Sequence, residues 1–354
     1  MTTANIVVLA TGGTISSTAS TTSHEHTNNG LSPSLSGEDL LRTLPSDHPF
    51  VVQKNATIHV NNVYHKDSSQ LLPTDIDRLT DAVLTALDAG ATGIVVVHGT
   101  DTLESTALWL QLVCPLAHYH CPLAITGATF AADSSTPDGP QNLADALSYV
   151  TNPQAESTVK IVFGGAILPA WGALKLATDQ RTAFASVCPA NATSTGLTEL
   201  LVDMPIHPIP RLSVNTPLVR IVTVDFGDDG SLLRLACEPS GAVPVRAIII
   251  EALGSGNLPA ATATVLHELR TTYPEIIFVV TSRVPLGPVS ALYGCTGGGA
   301  DLAAAGIPLI KNLRAPQCRI LLLALLQAGY STAQIKNILH AQNMPRTRIE
   351  PVHN

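Results

Sequence analysis

Charged residues are scarce in this chain: Lys, Arg, Asp and Glu make up 13% of its 354 residues, against 45% hydrophobic. A composition so apolar excludes a disordered polyelectrolyte and predicts a well-buried globular protein of one or two domains. Basic residues are scarcest, 19 Lys and Arg against 27 Asp and Glu, for a net charge of −8. They stand singly, with no stripe to exchange for condensed counterions, so a nucleic-acid partner is excluded. None of the six cysteines forms a C-x-x-C pair, which argues against zinc and leaves buried, reduced thiols as the expectation. Long apolar runs are missing too. Residues 320–326 form the longest, far short of a membrane span. Residues 1–9 lack a basic n-region and an extended apolar segment, so neither export nor a membrane partner is expected, and a cytoplasmic location is.

What the chain does have is alternation. Apolar runs at 6–9, 93–97, 123–126 and 159–163 suit buried parallel strands. Between the first two, "DIDRLTDAVLTALDAG" places Ile76, Leu79, Val83 and Leu87 on one helical face, and Gly90 ends that helix. "DTLESTALWLQLV" and "PQNLADALSYV" read as further helices. The order predicts a doubly wound α/β fold whose sites lie beyond the carboxyl ends of the strands. A proline-, serine- and asparagine-rich stretch, 191–217, reads as a linker. Beyond it, strands near 219–224, 247–251 and 276–281 and helices at 259–271, 317–328 and 332–340 make a smaller α/β unit. The expected domains are therefore 1–190, a larger and mostly parallel-sheet domain, and 218–354, a smaller C-terminal α/β domain.

Four stretches could carry chemistry. In "ATGGTI" a strand ends in Gly12 and Gly13 before Thr14. Neither a Gly-Lys-Ser/Thr ending nor G-x-G-x-x-G follows, so phosphate binding is not indicated. In "VVVHGTDTLEST" a buried strand gives way to Gly99, Thr100 and Asp101 at a helix start. Taken alone, Thr and Asp there are ordinary caps. Two adjacent parallel strands ending alike would, however, set hydroxyls and a carboxylate around one crevice. Lys175 stands in the nearly uncharged "WGALKL", where an apolar setting lets a lysine act as a base. "KDSSQL" holds Asp67 and Ser68, polar groups for a small ligand, and by itself is just a turn.

Together, "ATGGTI" and "HGTDTLEST" resemble the two threonine motifs of the bacterial-type L-asparaginase/glutaminase family. "TGA…PDGPQNL" and "TSRVPLG" resemble weaker family stretches, so the likeness runs nearly end to end. It implies that Thr14 is the nucleophile that forms an acyl-enzyme, and that Thr100, Asp101 and Lys175 complete the catalytic set. It also implies a substrate pocket of Asp67, Ser68, Gly99, Thr100, Asp101 and Ala128. Ser68 would hold the substrate α-carboxylate, Asp101 the α-amino group, and Ala128 the side-chain amide through its backbone. The expected reaction converts L-asparagine to L-aspartate and ammonia, with some glutaminase activity open, and needs no metal or organic cofactor. Family members are commonly homotetramers built from close dimers, which implies a homo-oligomer here, dimer or tetramer.

The sequence departs from the family in three places. Members often carry a tyrosine on the loop after the first strand, and "STTSHEHTNNGLSPSLSG" has none. His24, His26 or, from the second domain, Tyr293 are the candidates to assist Thr14. Phe130-Ala131 stands where many members have Arg-Pro, and "LYGCTGGG" replaces an acidic stretch. In addition, Ser255 stands where an asparagine is common. These departures keep an asparagine-binding sensor open as an alternative, although a sensor would have no need of Lys175.

Overall fold

The first strand, β1 (Ala4–Gly12), is buried along most of its length because a strand lies on each side of it. The structure is a computed structural model that describes residues 4–19, 30–53, 56–187 and 206–341. The chain divides into two compact units, the first of residues 1–186 and 205–215, the second of 187–204 and 216–354.

In the first unit, β2 (Ser17–Ala19) pairs with β3 (Leu31–Pro33), followed by helices α1 (Gly37–Arg42) and α2 (Pro49–Gln53). Strand β4 (Ala56–Lys66), helix α3 (Pro73–Asp88), strand β5 (Gly93–Val97) and helices α4 (Leu103–Val113) and α5 (Leu116–Tyr119) come next. Strand β6 (Leu123–Thr126), helix α6 (Gly139–Thr151) and strands β7 (Val159–Phe163), β8 (Ala166–Pro169), β9 (Ala173–Lys175) and β10 (Phe184–Ser186) complete it. Its main sheet runs β4-β1-β5-β6-β7-β8, with every pair parallel except β7 with β8. Ile6 and Val8 of β1 and Val95 and Val97 of β5 pack against Leu143, Leu147 and Val150 of α6. Successive residues of a strand point to opposite faces. Leu9, Ile94 and Val96 thus turn to the other face, and they too are fully buried. Both faces of the sheet are covered, which is why these strands read as unbroken apolar runs.

Strand β4 escapes that reading. It lies at the sheet edge, and its residues from Ala56 to Asn61 alternate between half-buried and exposed. Ala56, Ile58 and Val60 turn inward onto the core, leaving Thr57, His59 and Asn61 outside. Gly90, expected to stop a helix, takes φ +80° just after α3. Residues 206–215, within the stretch read as a linker, are tied to the first unit. The Asp77 carboxylate accepts the backbone N–H groups of Leu212 (2.7 Å) and Ser213 (3.0 Å).

The second unit orders β11 (Leu218–Thr223), β12 (Val245–Ala252) and β13 (Ile277–Ser282) as a parallel three-stranded sheet. Its helices are α7 (Ser231–Ala236), α8 (Ala260–Thr272), α9 (Gly299–Ala304), α10 (Ala315–Gln327) and α11 (Thr332–Ala341). Ile248, Ile250, Leu266, Phe278 and Val280 form its core. The fold is two-domain α/β, with the larger, mostly parallel sheet N-terminal and the smaller one C-terminal. No helix among the described residues is long and apolar enough to cross a membrane. Of the five described cysteines, four are buried free thiols and Cys295 is exposed, which departs from the uniformly buried set expected.

Candidate active site

The neighbouring parallel strands β1 and β5 end side by side, Ala10 in register with Val97. Each then turns through glycine. Gly12 and Gly13 take φ of +103° and +83°, which β-carbons oppose. A Cβ on Gly13 would collide with the Cα and N of Gly99, so the two loops touch backbone to backbone. Thr14 and Thr100 each follow one of these touching glycines. Thr14 opens a short 3-10 turn, Thr14–Ser16, held by the Ser16 N–H donating to the Gly13 carbonyl at 3.0 Å. The Gly13 N–H donates in turn to the Lys66 carbonyl at 3.1 Å, fixing the turn to the end of β4.

Ser68 enters from the loop after β4. Its buried Oγ accepts the Asp101 N–H at 3.1 Å, and a Cβ on Gly99 would lie 2.7 Å from that oxygen. The Thr102 hydroxyl donates to the Ser68 carbonyl at 3.2 Å, completing a reciprocal pair between the loops. Asp67, one residue earlier, is exposed.

Lys175, the last residue of β9, reaches the same place. Its Nζ donates to Thr100 Oγ1 at 2.8 Å and to Asp101 Oδ1 at 3.0 Å. The Lys175 side chain is only 20% exposed, whereas that of Asp101 is 61% exposed. The lysine is therefore the inner member of the pair, and the aspartate the outer one. Ala128, 1% exposed, lies in the loop after β6. Asp138 pins this loop by accepting the N–H groups of Thr129 (3.0 Å) and Phe130 (2.9 Å).

Two further residues hold the constellation without having stood out in the sequence. His98 is fully buried, with Nδ1 2.7 Å from the Gly99 carbonyl and Nε2 3.1 Å from Thr106 Oγ1. A carbonyl only accepts, so Nδ1 carries the hydrogen and the neutral Nε2 accepts from the Thr106 hydroxyl. Burial lowers its pKa to about 4, which keeps the ring neutral. Glu104, 7% exposed in the first turn of α4, faces Lys175 and Asp101, and burial pushes its carboxyl up to about 7. It is the lone charge in "LESTALWLQLV".

Thr14, Ser68, Gly99, Thr100, Asp101, Ala128 and Lys175 thus all belong to the first unit. Tyr293 belongs to the second and is 55% exposed. His24 and His26 lie outside the described residues.

Comparison with known proteins identifies the family. Residues 5–200 match the family Asparaginase, N-terminal, and residues 218–339 match the Glutaminase/Asparaginase C-terminal domain. The chain belongs to the bacterial-type L-asparaginase family. A protein of Deinococcus radiodurans named "Probable L-asparaginase" is 30% identical over 344 residues, 94% of this chain and 96% of that protein. A "Glutaminase-asparaginase" of Pseudomonas aeruginosa is 26% identical over 288 residues, 77% of this chain and 74% of the relative. The fold is that of the "Probable Cytoplasmic L-asparaginase from Campylobacter jejuni", at a TM-score of 0.73 and 23% identity. That match covers 95% of this chain and 99% of the other. As an asparaginase-family enzyme, the protein is an amidohydrolase of the L-asparaginase/glutaminase type.

Proposed function

We propose that the protein hydrolyses L-asparagine to L-aspartate and ammonia through an ester on Thr14. One observation carries this reading: Lys175 Nζ lies on both Thr100 Oγ1 and Asp101 Oδ1, in an enclosed corner beside the Gly13–Gly99 contact. A binding protein has no use for a lysine turned onto a buried hydroxyl. A base relay does.

The substrate is a zwitterion. Its ammonium would meet the exposed carboxylate of Asp101, and its α-carboxylate the hydroxyl of Ser68. The Thr14 hydroxyl attacks the side-chain amide carbon, and its proton passes to a base as the C–O bond forms. Negative charge collects on the amide oxygen, where preplaced backbone N–H groups of the threonine turns stabilise it. The C–N bond then breaks, and nitrogen leaves as ammonia with the transferred proton. For the second half, Lys175 draws the Thr100 hydroxyl toward the role of base. With Lys175 as the neutral amine, Thr100 takes a proton from water while its own hydroxyl proton passes to Lys175 Nζ; the hydroxide attacks the ester carbonyl, the C–O bond to Thr14 breaks, and aspartate leaves as the proton returns from Lys175 through Thr100 to Thr14 Oγ1.

Discrimination between asparagine and glutamine rests on one methylene, worth about 1–3 kcal/mol. Both belong in the assay. Ammonia release is measured for the unaltered protein, Thr14→Ala and Thr100→Val. A rate that collapses in both variants supports the reading, and an unaltered protein no faster than the variants sinks it. The reading extends to a dimer or tetramer, which gel filtration tests, and to a reducing compartment such as the cytoplasm, which suits four buried free thiols.

A further inference from the structure

The geometry points to Glu104 as a positioning residue for Lys175, holding the lysine's main chain and facing its ammonium from the first turn of α4. This inference deepens the proposed function and rests on it for its catalytic part.

It begins with the edge of a strand. Lys175 closes β9, which pairs on one side only, with β10. Along an antiparallel strand, successive N–H groups turn to opposite sides. The Leu176 N–H donates to the Ala183 carbonyl at 2.7 Å, on the β10 side. The Lys175 N–H therefore turns the other way, and α4, which packs on β9, brings the buried Glu104 carboxyl to that side. The same carboxyl lies within electrostatic reach of the Lys175 ammonium and of the Asp101 carboxylate. These are the charged groups that face it from β9 and from the turn before α4. A short strand with one neighbour has little else to fix its end. A carboxylate that takes the N–H of the same residue whose ammonium it attracts fixes both the backbone position and the direction of the side chain.

Asp101 and Glu104 share Lys175 differently. Asp101 is mostly exposed and bonds Nζ directly, while Glu104 is buried. Its charge is felt inside the protein, where screening by water is weak. Because burial lifts the carboxyl to about 7, its charge state changes near neutrality, and the surroundings of Lys175 change with it.

The test combines spectroscopy with kinetics on the full-length protein. In ¹H–¹⁵N spectra the Lys175 amide is followed from about pH 5.5 to about pH 8.5, because an N–H bonded to a carboxyl shifts as that carboxyl ionises. In the unaltered protein the resonance should move with a midpoint near neutrality, and in Glu104→Gln it should stay flat. A flat resonance in the unaltered protein, or equal movement in Glu104→Gln, overturns the inference. For kinetics, Glu104→Ala should lower kcat on the order of 10²-fold with KM changed by less than about 3-fold, because the lysine is misplaced and no substrate contact is lost. Glu104→Gln keeps an acceptor for the N–H and should restore most of that loss. A Glu104→Ala protein with unaltered kcat also overturns the inference. If the amide titrates as expected but the unaltered protein releases no ammonia from L-asparagine, the contact stands and the proposed function falls.

Discussion

Lys175 Nζ stands 2.8 Å from Thr100 Oγ1, although 75 residues separate them in the chain. A hydroxyl that receives a hydrogen bond from an ammonium still has its own proton to offer elsewhere. The pair becomes a base only when the lysine gives up a proton or passes one on. Replacing Lys175 with methionine keeps the length and apolar stem and removes the nitrogen. We expect kcat for L-asparagine to fall roughly 10²–10⁴-fold, the range for loss of a general base. KM should change little, since Lys175 touches Thr100 and Asp101 from the inner side. Steady-state ammonia release decides the point, and a kcat within about 3-fold of the unaltered protein would count against a base relay.

Gly99 makes a separate prediction about binding. A Cβ there would lie 2.7 Å from Ser68 Oγ and 2.9 Å from Ser68 Cβ. Ser68 is buried and bonded to the Asp101 N–H, so it has little room to yield. Gly99→Ala should therefore push Ser68 out of place at a cost of about 1–3 kcal/mol, typical of overpacking. If Ser68 holds the substrate carboxylate, KM should rise by ~10-fold or more as this cost is felt in binding. Unchanged KM together with a lowered melting temperature would place Ser68 in the scaffold instead.

Four strands of the first unit, β1, β5, β6 and β7, were legible because their burial is local. Residues 93–97 and 123–125 are continuous apolar runs and 159–163 is broken only by Lys160, and the structure places strands there without a shift. Strand β4 was not, because an edge strand with one wet face alternates and contains His59, Asn61 and Asn62. The site divides in the same way. "GGT" and "HGTD" announce turns at strand ends, so Thr14 and Thr100 could be placed beside one another once β1 and β5 were taken as neighbours. No local pattern ties Lys175 to Thr100, since that contact depends on how β9 returns to the sheet, and it rested on the family resemblance. His98 and Glu104 were hidden for another reason. Within an apolar strand and an apolar helix, a lone polar residue reveals its partner only in three dimensions.

The thiols offer a check on burial in solution. Burial pushes Cys114, Cys121 and Cys318 up to about 12, and Cys237 up to about 11, leaving almost no thiolate at neutral pH. Cys295 is exposed on the segment before α9. Brief iodoacetamide treatment followed by peptide mapping should find Cys295 alkylated and these four protected until the protein is denatured. Labelling of Cys114 or Cys318 at the rate of Cys295 would contradict their burial in the two cores.

The pH dependence of stability tests the buried pair His98 and Glu104, whose effects have opposite signs. Glu104 rises from 4.5 to about 7 on folding, so between those values the native protein holds a proton that the unfolded chain has released. Stability falls as pH rises through that window. His98 drops from 6.5 to about 4, so there the unfolded chain holds the extra proton and stability falls as pH decreases. The windows overlap from 4.5 to 6.5, and the slope for the unaltered protein mixes both. The difference between that protein and Glu104→Gln removes the histidine, which both retain. Urea midpoints at about pH 4.5 and about pH 8 should therefore show Glu104→Gln gaining relative stability as pH rises, on the order of 3 kcal/mol across the interval. A difference that stays constant with pH would mean that Glu104 ionises alike in the folded and unfolded chains.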